Sequence, residues 1–218
     1  MRIRSFYKAC LAFVLCLSLF ALSACGKIDT LIAESESIAI SNSNLDTAIF
    51  AGGCFWCTEA DFDKMPGVVS TLSGYIGGTV ANPTYQQVVE GKTGHVEAVQ
   101  VQFDKTKTSF AQLLEAFWPT IDPLNADGQF CDSGSQYRSV IFYRNDEQKT
   151  LAEQSKSALA NSGRFSQPIV TEILPATEFY RAEEYHQNYA SKNPLRYAYY
   201  RNKCGRDQRL EALWGAKH

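Results

Sequence analysis

The chain lacks an excess of either charge. Lys and Arg number 21 against 23 Asp and Glu, a formal net charge of −2 over 218 residues. Its cations form no clusters, so nucleic-acid binding is excluded as a primary role. Histidine is scarce, at 3 residues, and the one Cys-x-x-Cys pair, Cys54 and Cys57, has no second paired motif. A zinc site built from Cys54, Cys57, His95 and His186 is therefore not expected. No internal repeat appears, and no apolar run reaches the roughly 20 residues that a membrane-spanning helix needs.

The longest apolar run, Ala9 to Ala24, follows Arg2, Arg4 and Lys8 and ends in Leu22-Ser23-Ala24-Cys25. A positive start, a short apolar stretch and small residues before a cleavage point mark an export signal over residues 1–24. The ending is similar to the lipobox of bacterial lipoproteins, which makes Cys25 the expected lipid-attachment site. Anchoring follows from burying acyl chains at ~0.8 kcal/mol per CH₂. The expected location is a bacterial membrane, facing the periplasm, with Gly26 favouring the outer membrane if there are two. Residues 25–46, rich in Ser, Asn, Ala and Glu, read as a flexible tether, and 47–218 as one domain.

Of seven cysteines, Cys10 and Cys16 leave with the signal and Cys25 carries lipid. Cys54, Cys57, Cys131 and Cys204 remain. A domain of this length does not need covalent staples, and Cys54-x-x-Cys57 closes too small a loop to constrain the unfolded chain much. Redox chemistry is the better reading. The hexapeptide Gly52-Gly53-Cys54-Phe55-Trp56-Cys57 follows an apolar run, Ala48–Ala51, and precedes a helix-like segment, Thr58–Met65. Cys54 thus falls at a strand-to-helix turn, where free backbone N–H groups favour a thiolate. Phe55 and Trp56 can wall an apolar slot beside the sulfur.

Further along, a strand is expected over Gly67–Gly78 and a helical turn from Asn82-Pro83-Thr84 to Gly91. The strand His95–Phe103 places Glu97 on the same face as Val99, Val101 and Phe103, with Gln100 and Gln102 opposite. A carboxyl on the apolar face must be paired or held protonated by desolvation. Ser109-x-x-Gln112 and Asn145-x-x-Gln148 cap two helices. Strands at Tyr137–Tyr143 and Ile169–Leu174 and a helix at Glu183–Lys192 follow. Leu195–His218, rich in Tyr and Arg, shows no regular pattern. The interleaved elements predict an α/β or α+β domain.

Several motifs recur in a known order: Gly-Cys-Phe-Trp at 53–56, Gly74-Tyr-Ile-Gly-Gly78, Asn82-Pro-Thr-Tyr85, Thr93-Gly-His-Val-Glu-Ala98, Gly134-Ser-Gln-Tyr-Arg-Ser139 and Glu184-Tyr-His-Gln-Asn-Tyr189 before Lys192-Asn-Pro194. Over residues 47 to about 194 the chain resembles the A-type peptide methionine-sulfoxide reductases. The resemblance implies a two-layer plait with a ferredoxin-like core, followed by an irregular tail. It implies reduction of the S-epimer of methionine sulfoxide, free or in oxidised proteins, without metal or organic cofactor. Cys54 is then the nucleophile and Glu97 the proton donor. Tyr85 and Tyr137 hold the sulfoxide oxygen, Phe55 and Trp56 the methyl group, and Asp132 lines the pocket. A thioredoxin-like protein is the implied reductant, and a monomer is expected.

The residues themselves are compatible with this chemistry. A sulfoxide oxygen leaves only once protonated, which needs an acid still protonated near pH 7. A sulfenic acid on Cys54 must then condense with a second thiol. Cys204 is the favoured resolving thiol, then Cys57, with Cys131 last. Two other readings stay open on residues alone: a thioredoxin-like oxidoreductase working through Cys54 and Cys57, and a lipoprotein that only binds ligands.

Overall fold

The computed structural model describes residues 44–215. The signal segment, Cys25 and the tether as far as residue 43 lie outside the described residues. In chain order the elements are β1 (Leu45–Gly52), α1 (Phe55–Phe62), β2 (Val68–Ile76), α2 (Tyr85–Val89), β3 (Val96–Asp104) and α3 (Phe110–Phe117). They continue with β4 (Gly128–Gln129), β5 (Asp132–Ser133), β6 (Ser139–Tyr143), α4 (Asp146–Asn161), β7 (Glu172–Pro175) and β8 (Tyr180–Arg181). Three C-terminal helices complete the chain: α5 (Tyr189–Lys192), α6 (Pro194–Lys203) and α7 (Arg206–Trp214).

Alternation of side chains across each strand gives the sheet two apolar faces. The main sheet runs β7-β6-β1-β3-β2-β8, and β4 pairs with β5 separately. Its inner order, β6-β1-β3-β2, is that of a βαββαβ plait. β1 pairs antiparallel with β6, and β2 with β3, while β7 joins parallel to β6. The expected ferredoxin-like core is therefore present.

Helices cover one face. There Ala48, Phe50, Tyr75, Val99, Val101 and Phe103 meet Phe62, Phe110, Leu113 and Phe117. Phe50 stacks on Phe62 and on Phe117, each with centroids 4.9 Å apart. Each such buried ring contributes roughly 1.5–3 kcal/mol. Ile49, Ala51, Val96, Ala98, Val140 and Phe142 form a second, smaller cluster on the opposite face. The capping boxes form as expected at Ser109; another closes around Thr84 and Gln87.

The C-terminal segment differs from the expected irregular tail: it is helical from Pro194 to Lys203 and from Arg206 to Trp214. Apolar periodicity does not reveal these helices, because α6 docks through polar groups and α7 adds only Leu210 and Trp214 to a buried arginine. Arg201 bonds Asp61 of α1, at 3.2 Å, and Asp207 of α7. Arg206 is buried and donates to the Gly52 and Thr120 carbonyls. The helix expected over Glu183–Lys192 is instead a 3₁₀ turn at Glu184–His186, then the single turn α5. Asn188 interrupts it in the left-handed region, at φ 53°. β1 starts at Leu45, inside the stretch read as tether.

Candidate active site

The site lies where the end of β1 meets the start of β3. Gly53, at φ +82°, makes the turn, and a Cβ there would stand 2.5 Å from the Gln129 side chain. Only glycine fits that approach. Cys54 is the residue before α1, and its carbonyl accepts from the N–H groups of Cys57 and Thr58. Glu97, on the second residue of β3, accepts the Phe55 N–H at 2.9 Å through Oε2. It faces the helices with Val99 and Val101, as its strand parity requires. Glu97 is 2% exposed. Burial pushes its carboxyl up to about 8, opposed by the Phe55 N–H and assisted by Asp132 and Cys57.

The cysteine pair departs from expectation. Cys54 is only 6% exposed, and burial, with Cys57 and Glu97 nearby, pushes its thiol up rather than down. The expected helix-terminal thiolate fails for a concrete reason. The first N–H of α1 is spent on Glu97, so it does not face the sulfur. Cys57 is drawn down to about 7, chiefly by its hydrogen bond with Cys54, with Arg206 and Arg201 adding positive potential. Negative charge is thus favoured on Cys57 over Cys54.

Around the sulfur stands an aromatic wall. The Trp56 ring lies flat on Tyr189, with centroids 3.6 Å apart and planes 6° apart. Its Nε1–H donates to His186 Nδ1 at 3.0 Å. His186 is buried, which pushes it down to about 4, and its ring packs on Phe55 and Tyr85. It therefore orients the wall and stays neutral. His95, the other histidine considered as a ligand, accepts the Gly78 N–H and sits 2.8 Å from the Val80 carbonyl. Burial and the Glu97 carboxyl raise both Tyr85 and Tyr137, so both phenols keep their protons. Glu183 positions Tyr85 by accepting its backbone N–H and the Tyr75 hydroxyl.

The structure brings Cys54, Phe55, Trp56, Cys57, Glu97, Tyr85, Tyr137 and Asp132 to one locality. Sequence reading missed Tyr200, His186, Tyr189 and Arg206. Tyr200 on α6 donates to Asp132 Oδ2 at 2.6 Å, close to the Cys54 thiol. Burial raises Asp132, with Tyr200 and Arg206 opposing. The signal for α6 was present in another alphabet: Tyr197, Tyr200, Arg201 and Cys204 follow the i, i+3, i+4, i+7 spacing of one helical face. Cys204 is bonded to Cys131, the thiol ranked last, while Cys54 and Cys57 are free and buried.

Comparison with known proteins decides what this geometry serves. The family model of the peptide methionine sulfoxide reductases matches residues 46–218. The chain belongs to that family. A peptide methionine sulfoxide reductase of Halalkalibacterium halodurans is 54% identical over 171 residues, covering 78% of this chain and 97% of the relative. That of Bacillus subtilis is 53% identical over 172 residues, covering 79% and 97%. Among solved structures, methionine sulfoxide reductase A of Corynebacterium diphtheriae is 37% identical with a TM-score of 0.63, over 70% of this chain and 76% of that one. Reduced Mxr1 of Saccharomyces cerevisiae is 31% identical with a TM-score of 0.66, over 70% and 87%. This peptide methionine sulfoxide reductase is an oxidoreductase that reduces methionine sulfoxide.

Proposed function

We propose that Cys54 reduces the S-epimer of methionine sulfoxide, free or in oxidised proteins, with Glu97 as general acid. The observation that carries the assignment is the buried Glu97 carboxyl, raised to about 8, on the N–H of the residue after Cys54. One oxygen accepts that N–H, and the other is free to hold the proton. The Cys54 thiolate attacks the sulfoxide sulfur as Glu97 protonates the oxygen, forming an S–S bond; the hydroxyl group then passes to the Cys54 sulfur as the S–O and S–S bonds break. Methionine leaves reduced by two electrons, and Cys54 becomes a sulfenic acid. Tyr85 and Tyr137 stabilise charge developing on oxygen. Phe55 and Trp56 hold the methyl group, and Asp132 lines the pocket.

For recycling we place Cys57 ahead of Cys204, because Cys57 is a free thiol one helical turn from Cys54, its N–H on the Cys54 carbonyl, whereas Cys204 is bonded to Cys131. Cys57 condenses with the sulfenic acid, giving a Cys54–Cys57 disulfide and water. The reduced Cys131–Cys204 pair then takes over that disulfide by thiol exchange, restoring both buried thiols. An external thioredoxin-like dithiol opens the Cys131–Cys204 bond at the surface. An epimer-resolved assay on the two sulfoxides tests the substrate: turnover should be confined to the S-epimer, and equal rates on both would overturn it. Quenching with an alkylating agent after one turnover, followed by mass spectrometry, should find Cys54–Cys57 before Cys131–Cys204. A first-formed Cys54–Cys204 bond would restore the other order.

The reading of an exported lipoprotein anchored through Cys25 rests on residues 1–25. It predicts that the full chain fractionates with membranes and that a Cys25→Ser chain does not. Equal fractionation of the two would exclude the anchor.

A further inference from the structure

Two cross-links join the same two segments. Cys131 and Asp132 are consecutive. Tyr200 and Cys204 are one helical turn apart on α6, with the Cys204 N–H donating to the Tyr200 carbonyl at 2.8 Å. Cys131 is bonded to Cys204, with Cα atoms 4.9 Å apart. Beside it, the Tyr200 hydroxyl donates to Asp132 Oδ2. The disulfide therefore holds the C-terminal end of α6 against the turn that leads into β5, with the Tyr200 hydroxyl on Asp132. The Tyr200 ring meets Trp56 edge-on, at 5.6 Å, while its hydroxyl is held by Asp132. One phenol thus engages two groups that a sulfoxide would need: the aromatic wall and the pocket carboxyl. Cys54 is 6% exposed in this state.

We propose that Tyr200 is a redox-controlled gate: the Cys131–Cys204 bridge holds it in the sulfoxide site, and reduction of that bridge lets it leave. This rests on the sulfoxide site proposed above. Its consequence is ordering. An enzyme whose surface disulfide has not been reduced does not bind a second sulfoxide, so Cys54 and Cys57 are not oxidised again before a dithiol is ready to take over their disulfide. The required change is local, because the disulfide is the covalent tie and the Tyr200–Asp132 bond alone is worth little net free energy. Opening the bridge costs two electrons, supplied by the dithiol reductant that recycles the enzyme, and yields two thiols.

The test uses the full chain carrying Cys54→Ser and Cys57→Ser, which cannot turn over. Each preparation is brought to the bridged or the reduced form and verified by mass. Calorimetric titration with N-acetyl-methionine sulfoxide amide should give a Kd at least ~10-fold weaker for the bridged form. Adding Tyr200→Ala should remove most of that difference, and adding Cys131→Ser should make oxidant treatment irrelevant. Tyr200→Phe, which keeps the ring and the packing, should leave a gap that Tyr200→Ala removes. Equal affinities of the bridged and reduced forms would overturn the gate while leaving the sulfoxide site intact. A gap that persists in Tyr200→Ala would also overturn it. No binding by either form would overturn the sulfoxide site and the gate together.

Discussion

A Cys54→Ser chain is expected to release no methionine from its sulfoxide above the uncatalysed background. The step moves two electrons from the nucleophile to the substrate and leaves oxygen on the nucleophile, and a serine hydroxyl cannot do this. Removing a nucleophile of this kind costs about 10⁴-fold or more. Its neighbour is the informative control. A Cys57→Ser chain should keep its first turnover and lose the later ones, because Cys57 enters only after the sulfenic acid has formed. A thioredoxin-like site would behave differently, losing exchange chemistry with either cysteine. Burial already argues against that alternative, since Cys54 and Cys57 are enclosed and the bonded pair that reaches the surface is Cys131–Cys204. Methionine release by Cys54→Ser at the wild-type rate would remove the nucleophile assignment.

Glu97→Gln is expected to lower the single-turnover rate of Cys54 oxidation by ~10²–10⁴-fold at neutral pH, the usual worth of a positioned acid. Glutamine keeps the carbonyl that accepts the Phe55 N–H, so the turn should survive and the loss should be chemical. The pH profile separates this from a structural defect. Glu97 is pushed up to about 8 by burial, so the proton is in place at pH 7 and is lost as pH rises through that value. The wild-type rate should fall above about pH 8, while the Glu97→Gln rate should not show that fall. Stopped-flow measurement across pH 6–10, each variant at saturating sulfoxide, decides it. An unchanged rate at pH 7 would end the general-acid role.

Both predictions turn on groups whose chemistry was visible before any coordinates. Gly52 to Cys57 announces a cysteine at a strand-to-helix turn, and the alternation of β3 puts Glu97 among apolar neighbours. Short-range patterns carry these features because strand period and helix caps are local properties of the backbone. The charge state of Cys54 was not local. Helix-end reasoning expected a depressed thiol, but Glu97, arriving from β3, takes the N–H and burial dominates.

The C-terminal helices show the same divide from the other side. The packing face of α6 is built from Tyr197, Tyr200, Arg201 and Cys204, and that of α7 from Arg206, Leu210 and Trp214, so neither carries a continuous apolar stripe. The candidate nucleophile, the acidic residue and the interleaving of strands and helices follow from residue type and spacing along the chain, while the plait was implied only by the family resemblance. The raised Cys54 thiol, the Cys131–Cys204 bond and the placing of Tyr200 on Asp132 depend on contacts between segments far apart in sequence. Burial and pairing depend on what the folded chain brings alongside, and no local window of residues contains that information.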